Sequence, residues 1–221
     1  MNELLEKISH CVEFGKINKT SPYPPDMKGM DGADELTIEA LAQKIPANDI
    51  LQLALVPAMA RVGVKFRENK IFVPQVLMSA KAMGTSIIHL KPYFQSGEVK
   101  RKGTFIIGTV AGDLHDIGKN LVAMMVEGNG FEVVDLGTDV GAERYINSLK
   151  EHPGSSIGIS ALLTTTMVNM ESIVKEVKHA VPGTKVAIGG APVNDDFRKK
   201  IGADFYSPDP QGVVEYLNSM A

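Results

Sequence analysis

Three short stretches hold the residues best suited to chemistry. The first, Gly112-Asp113-Leu114-His115-Asp116-Ile117-Gly118, sets one imidazole two residues after a carboxylate and directly before another. On a loop, such an imidazole points outward while the carboxylate holds its other ring nitrogen, which is how a metal-binding histidine is oriented. His115 and Asp116 read equally as the cap of a following helix, because aspartate is a common cap. The remaining histidines, His10, His89, His152 and His179, fall in expected helices or remote loops. A lone histidine of this kind suits a metal already held by a macrocycle better than a site built from protein ligands alone.

The second stretch is Ser160-Ala161-Leu162 with Thr164, Thr165 and Thr166 close behind, and the third is Gly189-Gly190-Ala191-Pro192. The hydroxyls are donors for the polar tail of a cofactor, or solvated loop residues. The paired glycines leave a slot for something flat or long, or form an ordinary turn from strand to helix.

These stretches gain meaning from the elements that carry them. Up to about His89 the apolar residues recur at helical spacing: Leu4, Leu5, Ile8 and Val12, then Ile50, Leu51, Leu53, Ala54, Leu55 and Met59, then Val76, Leu77, Ala80, Met83 and Ile87 behind Pro74. A four-helix bundle is expected over residues 1–92. It is interrupted at 18–34, where Pro22, Pro24, Pro25, Gly29 and Gly32 crowd together and read as a long irregular loop. A linker at 93–103 follows.

From residue 104 to 221 short apolar runs alternate with amphipathic segments. The runs are Thr104 to Val110, Phe131 to Leu136, Ser156 to Ser160, Lys185 to Ile188 and a weaker Asp204 to Tyr206. Five β-α units with apolar strands predict a parallel five-stranded sheet covered on both faces, so the expected class is α/β on the flavodoxin-like or Rossmann-like plan. In such a sheet ligands bind beyond the carboxyl ends of the strands, where all three stretches converge.

Composition narrows the partners. With 23 basic and 26 acidic residues and a net charge of -3 there is no broad basic face for nucleic acid or an anionic membrane. No apolar run is long enough to cross a bilayer, and the first residues lack the pattern of a signal peptide. The single cysteine, Cys11, excludes an internal disulfide framework and reads as core on an apolar helical face. The expected location is cytoplasmic.

Taken together, Asp113-x-His115-x-x-Gly118, Ser160-x-Leu162 and Gly189-Gly190 resemble the three-part pattern of cobalamin-binding domains. The first half is similar to the helical cap of methionine synthase and of corrinoid methyl-carrier proteins in methylamine, methanol and aryl-ether methyl transfer. That likeness is carried by Val62-Gly63-Val64-Lys65-Phe66 and by Ile71-Phe72-Val73-Pro74-Gln75 through Met83. The resemblance implies a cobalamin or related corrinoid, bound with its own base displaced and His115 as the axial cobalt ligand. Asp113 then bonds the distal ring nitrogen, and Thr166 extends that relay where relatives carry serine. Asp116, Ile117, Gly118, Ser160, Leu162, Thr164, Gly189 and Gly190 line the cofactor site, with Phe72, Val76 and Met83 shielding its upper face.

The function so implied is carriage of a methyl group on cobalt, from a substrate-specific corrinoid methyltransferase to a second methyltransferase that uses tetrahydrofolate or a thiol, with a reductive activation protein as a further partner. The chain is then one subunit of a multi-component system. A cobalamin-dependent sensor or regulator is the alternative, and would need a DNA-binding module that the short, weakly basic N-terminal segment does not supply. The small subunit of an adenosylcobalamin mutase has no reason to keep a helical cap. A receiver-like domain would carry an acidic acceptor after the third strand, where this chain has Ser160.

Overall fold

The structure is a computed structural model and describes residues 2–221. It divides into two compact units. One runs to Arg101 and is joined by Gly128–Gly130; the other comprises Lys102–Glu127 and Phe131–Ala221.

The first unit is a bundle of helices. Helix α1 (Glu3–Phe14) starts at Asn2, whose side chain accepts the Leu4 N–H, and buries Leu4, Leu5, Ile8, Cys11 and Val12 on one face. Helix α2 (Ala33–Ala42) buries Ala33, Leu36, Thr37 and Ala40. A third rod is continuous from α3 (Ala47–Asp49) through a π-helical turn (Ile50–Leu55) into α4 (Val56–Arg67). The widened turn lies directly before Pro57, which has no N–H to give to the carbonyl four residues back; Val56 N–H reaches instead to Leu51 O. Helix α5 (Val73–Gln95) has Pro74 in its first turn, as its fixed φ favours, and continues through Pro92. Helix α1 packs against α2, α4 and α5, giving the expected four-helix arrangement.

The 18–34 segment is more ordered than its proline and glycine content predicts. It holds a short 3-10 turn (Pro25–Met27), and helix α2 already starts at Ala33. Backbone bonds from Ala33 N–H to Lys16 O and from Asp34 N–H to Ile17 O pin it, and the Glu35 carboxylate takes the N–H groups of Lys19 and Gly32. Backbone donors satisfied in this way hold a segment that has no regular repeat of its own.

The second unit is a five-stranded parallel sheet, β1 (Thr104–Thr109), β2 (Glu132–Asp135), β3 (Ser156–Ser160), β4 (Val186–Gly189) and β5 (Phe205–Tyr206). The strand order β2-β1-β3-β4-β5 is the flavodoxin-like order, which places a topological switch point between β1 and β3. Between the strands run α6 (Ile117–Gly128), α7 (Ala142–Glu151), the short α8 (Thr164–Met167) with α9 (Met170–Ala180), and α10 (Asp195–Ile201); α11 (Pro210–Asn218) closes the chain. Both faces of β1 and β3 are buried, which is why these strands are almost wholly apolar. The core under one face gathers Ile106, Ile157, Ile159, Val186 and Ile188 with Tyr145, Leu149, Ile173 and Val177 from α7 and α9. Fully buried Tyr145 has its hydroxyl 3.0 Å from Gly108 O and 3.1 Å from Gly158 O, so its polar tip is satisfied inside that core. Among the described residues no helix is long and apolar enough to cross a membrane.

Candidate cofactor site at the carboxyl edge of the sheet

The switch point brings the end of β1 beside the end of β3, and the loop leaving β1 carries His115. Its side chain is half exposed, whereas that of Asp113 is fully buried. His115 Nδ1 lies 2.7 Å from Asp113 Oδ1, and the same oxygen accepts the His115 backbone N–H at 3.0 Å. An ionised carboxylate only accepts, so Nδ1 carries the hydrogen of this bond, which leaves Nε2 as the ring nitrogen turned away from Asp113. Thr109 Oγ1 donates to His115 O at 2.9 Å and fixes the loop from the strand end.

The other oxygen of Asp113 faces β3. It accepts Thr166 Oγ1 at 2.7 Å, Leu162 N–H at 2.9 Å and Leu163 N–H at 3.3 Å. Burial by itself pushes the Asp113 carboxyl up, but the bonds from Thr166, from the backbone at Leu162 and His115, and from the His115 ring outweigh it and hold the group well below the usual carboxylate range. A buried carboxylate held in its ionised form thus sits against the imidazole.

Asp113, His115 and Thr166 therefore form one hydrogen-bonded chain. Ser160 and Gly189 are paired across the last rung of β3 and β4. Ile117 and Gly118 belong to the first turn of α6 rather than to the loop, and the carboxylate of Asp116 accepts from the Asn120 side chain at 3.0 Å. The three threonines, expected on a loop, form α8 instead: Thr164 and Thr165 face solvent while Thr166 is buried toward Asp113. Phe72, Val76 and Met83 lie in the helical unit; Phe72 is exposed, Val76 and Met83 are buried.

The two glycines differ. At Gly190, where φ is +125°, a Cβ would fall 1.8 Å from Ala161 O, so the missing side chain is required by the approach of the chain after β3. At Gly189 the nearest atom to such a Cβ is Ser207 O at 3.6 Å, which leaves that face open.

Several features of this edge were not visible in the motif. Leu114 and Ile117 are each 74% exposed, and Leu162, Leu163 and Val168 are also exposed. Large apolar side chains turned to solvent around one imidazole mark a binding surface for something apolar and broad. Leu163 adds a backbone donor to Asp113, Asp139 accepts the Gly112 N–H at 2.7 Å, and Asn169 donates to Ala111 O at 2.9 Å. Lys119, buried in the first turns of α6, bonds Asp135 at the end of β2. Ile117 and Leu162 were already expected at the site from the resemblance; Leu114 and Leu163, beside polar loop residues, could also have been flagged from sequence.

Two models described as a B12 binding domain match, one over residues 103–212 and one over 30–91. The trimethylamine corrinoid protein 1 of Methanosarcina acetivorans is 40% identical over 192 residues, covering 85% of this chain and 89% of that one. The chain belongs to the corrinoid proteins. A dimethylamine corrinoid protein of the same organism is 38% identical over 80% of this chain and 84% of its own length. The crystal structure of the methanol:cobalamin methyltransferase complex of Methanosarcina barkeri includes a chain that superposes with a TM-score of 0.83 at 28% identity, covering 99% of this chain and 80% of that one. The helical unit and the sheet unit together are thus the architecture of a corrinoid protein.

The residues present fit a corrinoid. Among the described residues no group of three histidine, cysteine, aspartate or glutamate side chains could hold a bare metal ion. A single half-exposed imidazole oriented by a buried carboxylate, on an edge that also exposes Leu114, Ile117 and Leu162, suits a metal whose other ligands come from a flat macrocycle.

Proposed function

We propose that this corrinoid protein is a methyl carrier with His115 as its axial cobalt ligand. The observation that carries the reading is the His115–Asp113–Thr166 chain at the switch point, with Nε2 as the outward donor. Bound there, the corrinoid supplies a cobalt centre that accepts and gives up a methyl group. Everything else is done by the chain. Asp113 keeps Nδ1 protonated and makes the imidazole a better donor, and Thr166 with Leu162 N–H keeps Asp113 ionised. The buried Asp113 carboxylate, 2.7 Å from Nδ1, would hold the ring in one orientation with Nε2 turned to the cofactor.

Ser160, Leu162, Gly189 and the edge of α6 at Ile117 and Gly118 line the route for the displaced nucleotide tail, with Asp116, Thr164 and Gly190 at its margin. The family resemblance also assigns Phe72, Val76 and Met83 to shielding the cofactor; within the helical unit Phe72 is exposed, and Val76 and Met83 are buried. The names of the relatives, which span trimethylamine, dimethylamine and methanol systems, support placing substrate choice in a partner methyltransferase. A second methyltransferase with tetrahydrofolate or a thiol, and a reductive activation protein, complete the proposed cycle in the cytoplasm. The same relatives favour a carrier over a sensor.

The test is reconstitution of the chain with hydroxocobalamin, reduction with titanium(III), and addition of a methylamine or methanol methyltransferase with its isotopically labelled donor. The expected result is one label per protein-bound cofactor. A purified chain that binds no corrinoid, or one that binds it and is methylated by no donor system, contradicts the proposal.

A further inference from the structure

Five hydrogen bonds fix the Asp113 carboxylate, but all of them act on its side chain; its backbone must be fixed separately if the carboxylate is to meet the imidazole. Asp139, on the turn after β2, does this. Its carboxylate Oδ1 accepts the Gly112 N–H at 2.7 Å, and its own backbone N–H donates to Asp113 O at 3.1 Å. One residue thus grips the N–H of Gly112 and the C=O of Asp113, two successive residues just before the imidazole. The turn is itself laced to β1, with Thr109 N–H bonded to Gly137 O and Val140 N–H to Thr109 O, both at 2.9 Å. It is therefore a fixed anchor rather than a loose loop.

The backbone of Asp139 is the informative detail. It adopts φ +55°, the left-handed region, where non-glycine residues are uncommon and aspartate and asparagine are the best tolerated. Gly112 opposite is also left-handed, at φ +84°. A residue held there stores conformational energy that its surroundings must offset, and such residues gather at functional sites. At Asp139 the offset is the pair of bonds to Gly112 and Asp113. The exposed carboxylate of Asp139 is thereby spent on the ligand loop rather than on solvent.

We propose that Asp139 is a positioning residue for the cobalt ligand: by clamping the Gly112 and Asp113 backbone it sets Asp113, and through it the direction of His115 Nε2. This rests on His115 being that ligand. Asn169 supports the same loop from the β3 side through Ala111 O.

The experiment uses the full chain reconstituted with hydroxocobalamin, as wild type, Asp139→Ala, Asp139→Gly, Asp139→Asn and His115→Ala. Three quantities are read: the lower-ligand nitrogen splitting in the electron paramagnetic resonance spectrum of the cobalt(II) form, the rate of cofactor loss, and amide exchange at Asp113 and His115 in cofactor-free protein. Removing the acceptor in the Ala and Gly variants is expected to weaken or broaden the splitting, release cofactor about tenfold faster and speed exchange at both amides. Asn keeps an acceptor and tolerates the left-handed backbone, so Asp139→Asn is expected to match wild type. The Gly variant separates roles, since it relieves the backbone strain without replacing the bond. An Asp139→Gly protein that matches wild type in all three readouts overturns the proposal, whether or not Asp139→Ala folds. If the wild-type triplet is unchanged when the protein is grown with nitrogen-15 histidine, the ligand assignment beneath the proposal has failed instead.

Discussion

Replacing Thr166 by valine removes one oxygen from the most buried part of the site and changes little else in shape. Thr166 Oγ1 lies 2.7 Å from Asp113 Oδ2 and 3.1 Å from Leu163 O, and its single hydrogen is better spent on the nearer, charged acceptor. A hydrogen bond to an ionised group contributes roughly 1.5–3 kcal/mol. Oδ2 keeps the Leu162 and Leu163 N–H groups, so it is not orphaned, and the cost belongs near the lower end, about 2 kcal/mol. Thr166→Val is therefore expected to lower the thermal midpoint of the cofactor-free protein by roughly 4–8 °C at pH 7, with Thr166→Ser close to wild type.

The sign of the pH dependence follows from Asp113. Its native carboxyl is held below its unfolded value, so its contribution to stability is complete above about pH 4 and is lost as the pH falls from there through the depressed native value. Without the Thr166 bond the native carboxyl moves back up, and the gap between variant and wild type must narrow in acid as the pH falls through the variant's raised native value. Urea denaturation at pH 7 and in steps below pH 4 measures both effects. A pH 7 difference under about 0.5 kcal/mol, or a gap that widens in acid, would refute the reasoning.

Gly190→Ala forces a Cβ to within 1.8 Å of Ala161 O at φ +125°, and should cost more than about 3 kcal/mol or prevent folding; soluble variant with an unchanged urea midpoint would contradict the packing. Burial pushes the Cys11 thiol up to about 11, so at pH 8 the folded protein should resist a thiol-specific disulfide reagent and react fully once unfolded; stoichiometric labelling of the folded form would count against a buried Cys11. Tyr145→Phe deletes a buried hydroxyl that bridges toward the carbonyls of β1 and β3, and should lower stability by about 1–2 kcal/mol in urea denaturation, with no loss if the hydroxyl is idle.

The strands were legible because β1, β3 and β4 are buried on both faces and must be apolar throughout, while the bundle showed itself through the period of α1 and α5. The π-helical turn at Ile50–Leu55 was not, since a dense apolar run has the same appearance in either helix and only the missing N–H of Pro57 betrays the change. At the site, Asp113 and His115 could be picked out by type and spacing, and Thr166 through the family resemblance. Their grouping depends on the β1–β3 pairing, which also supplies the Leu162 and Leu163 N–H groups that hold Asp113 ionised. Backbone donors carry no side-chain signature. Asp139 and Asn169 were hidden for a related reason, because each looks like an ordinary polar turn residue until its partner on the His115 loop is known.

The central claim is that His115 Nε2 binds cobalt in place of the cofactor's own base. It is tested most directly by growing the protein with nitrogen-15 histidine, reconstituting it, reducing cobalt to the divalent state and recording its electron paramagnetic resonance. Each high-field line should change from the triplet of nitrogen-14 to the doublet of nitrogen-15, and in His115→Ala any remaining splitting should be a triplet that labelling does not alter. A triplet that persists in the labelled protein would show that the lower ligand is not histidine.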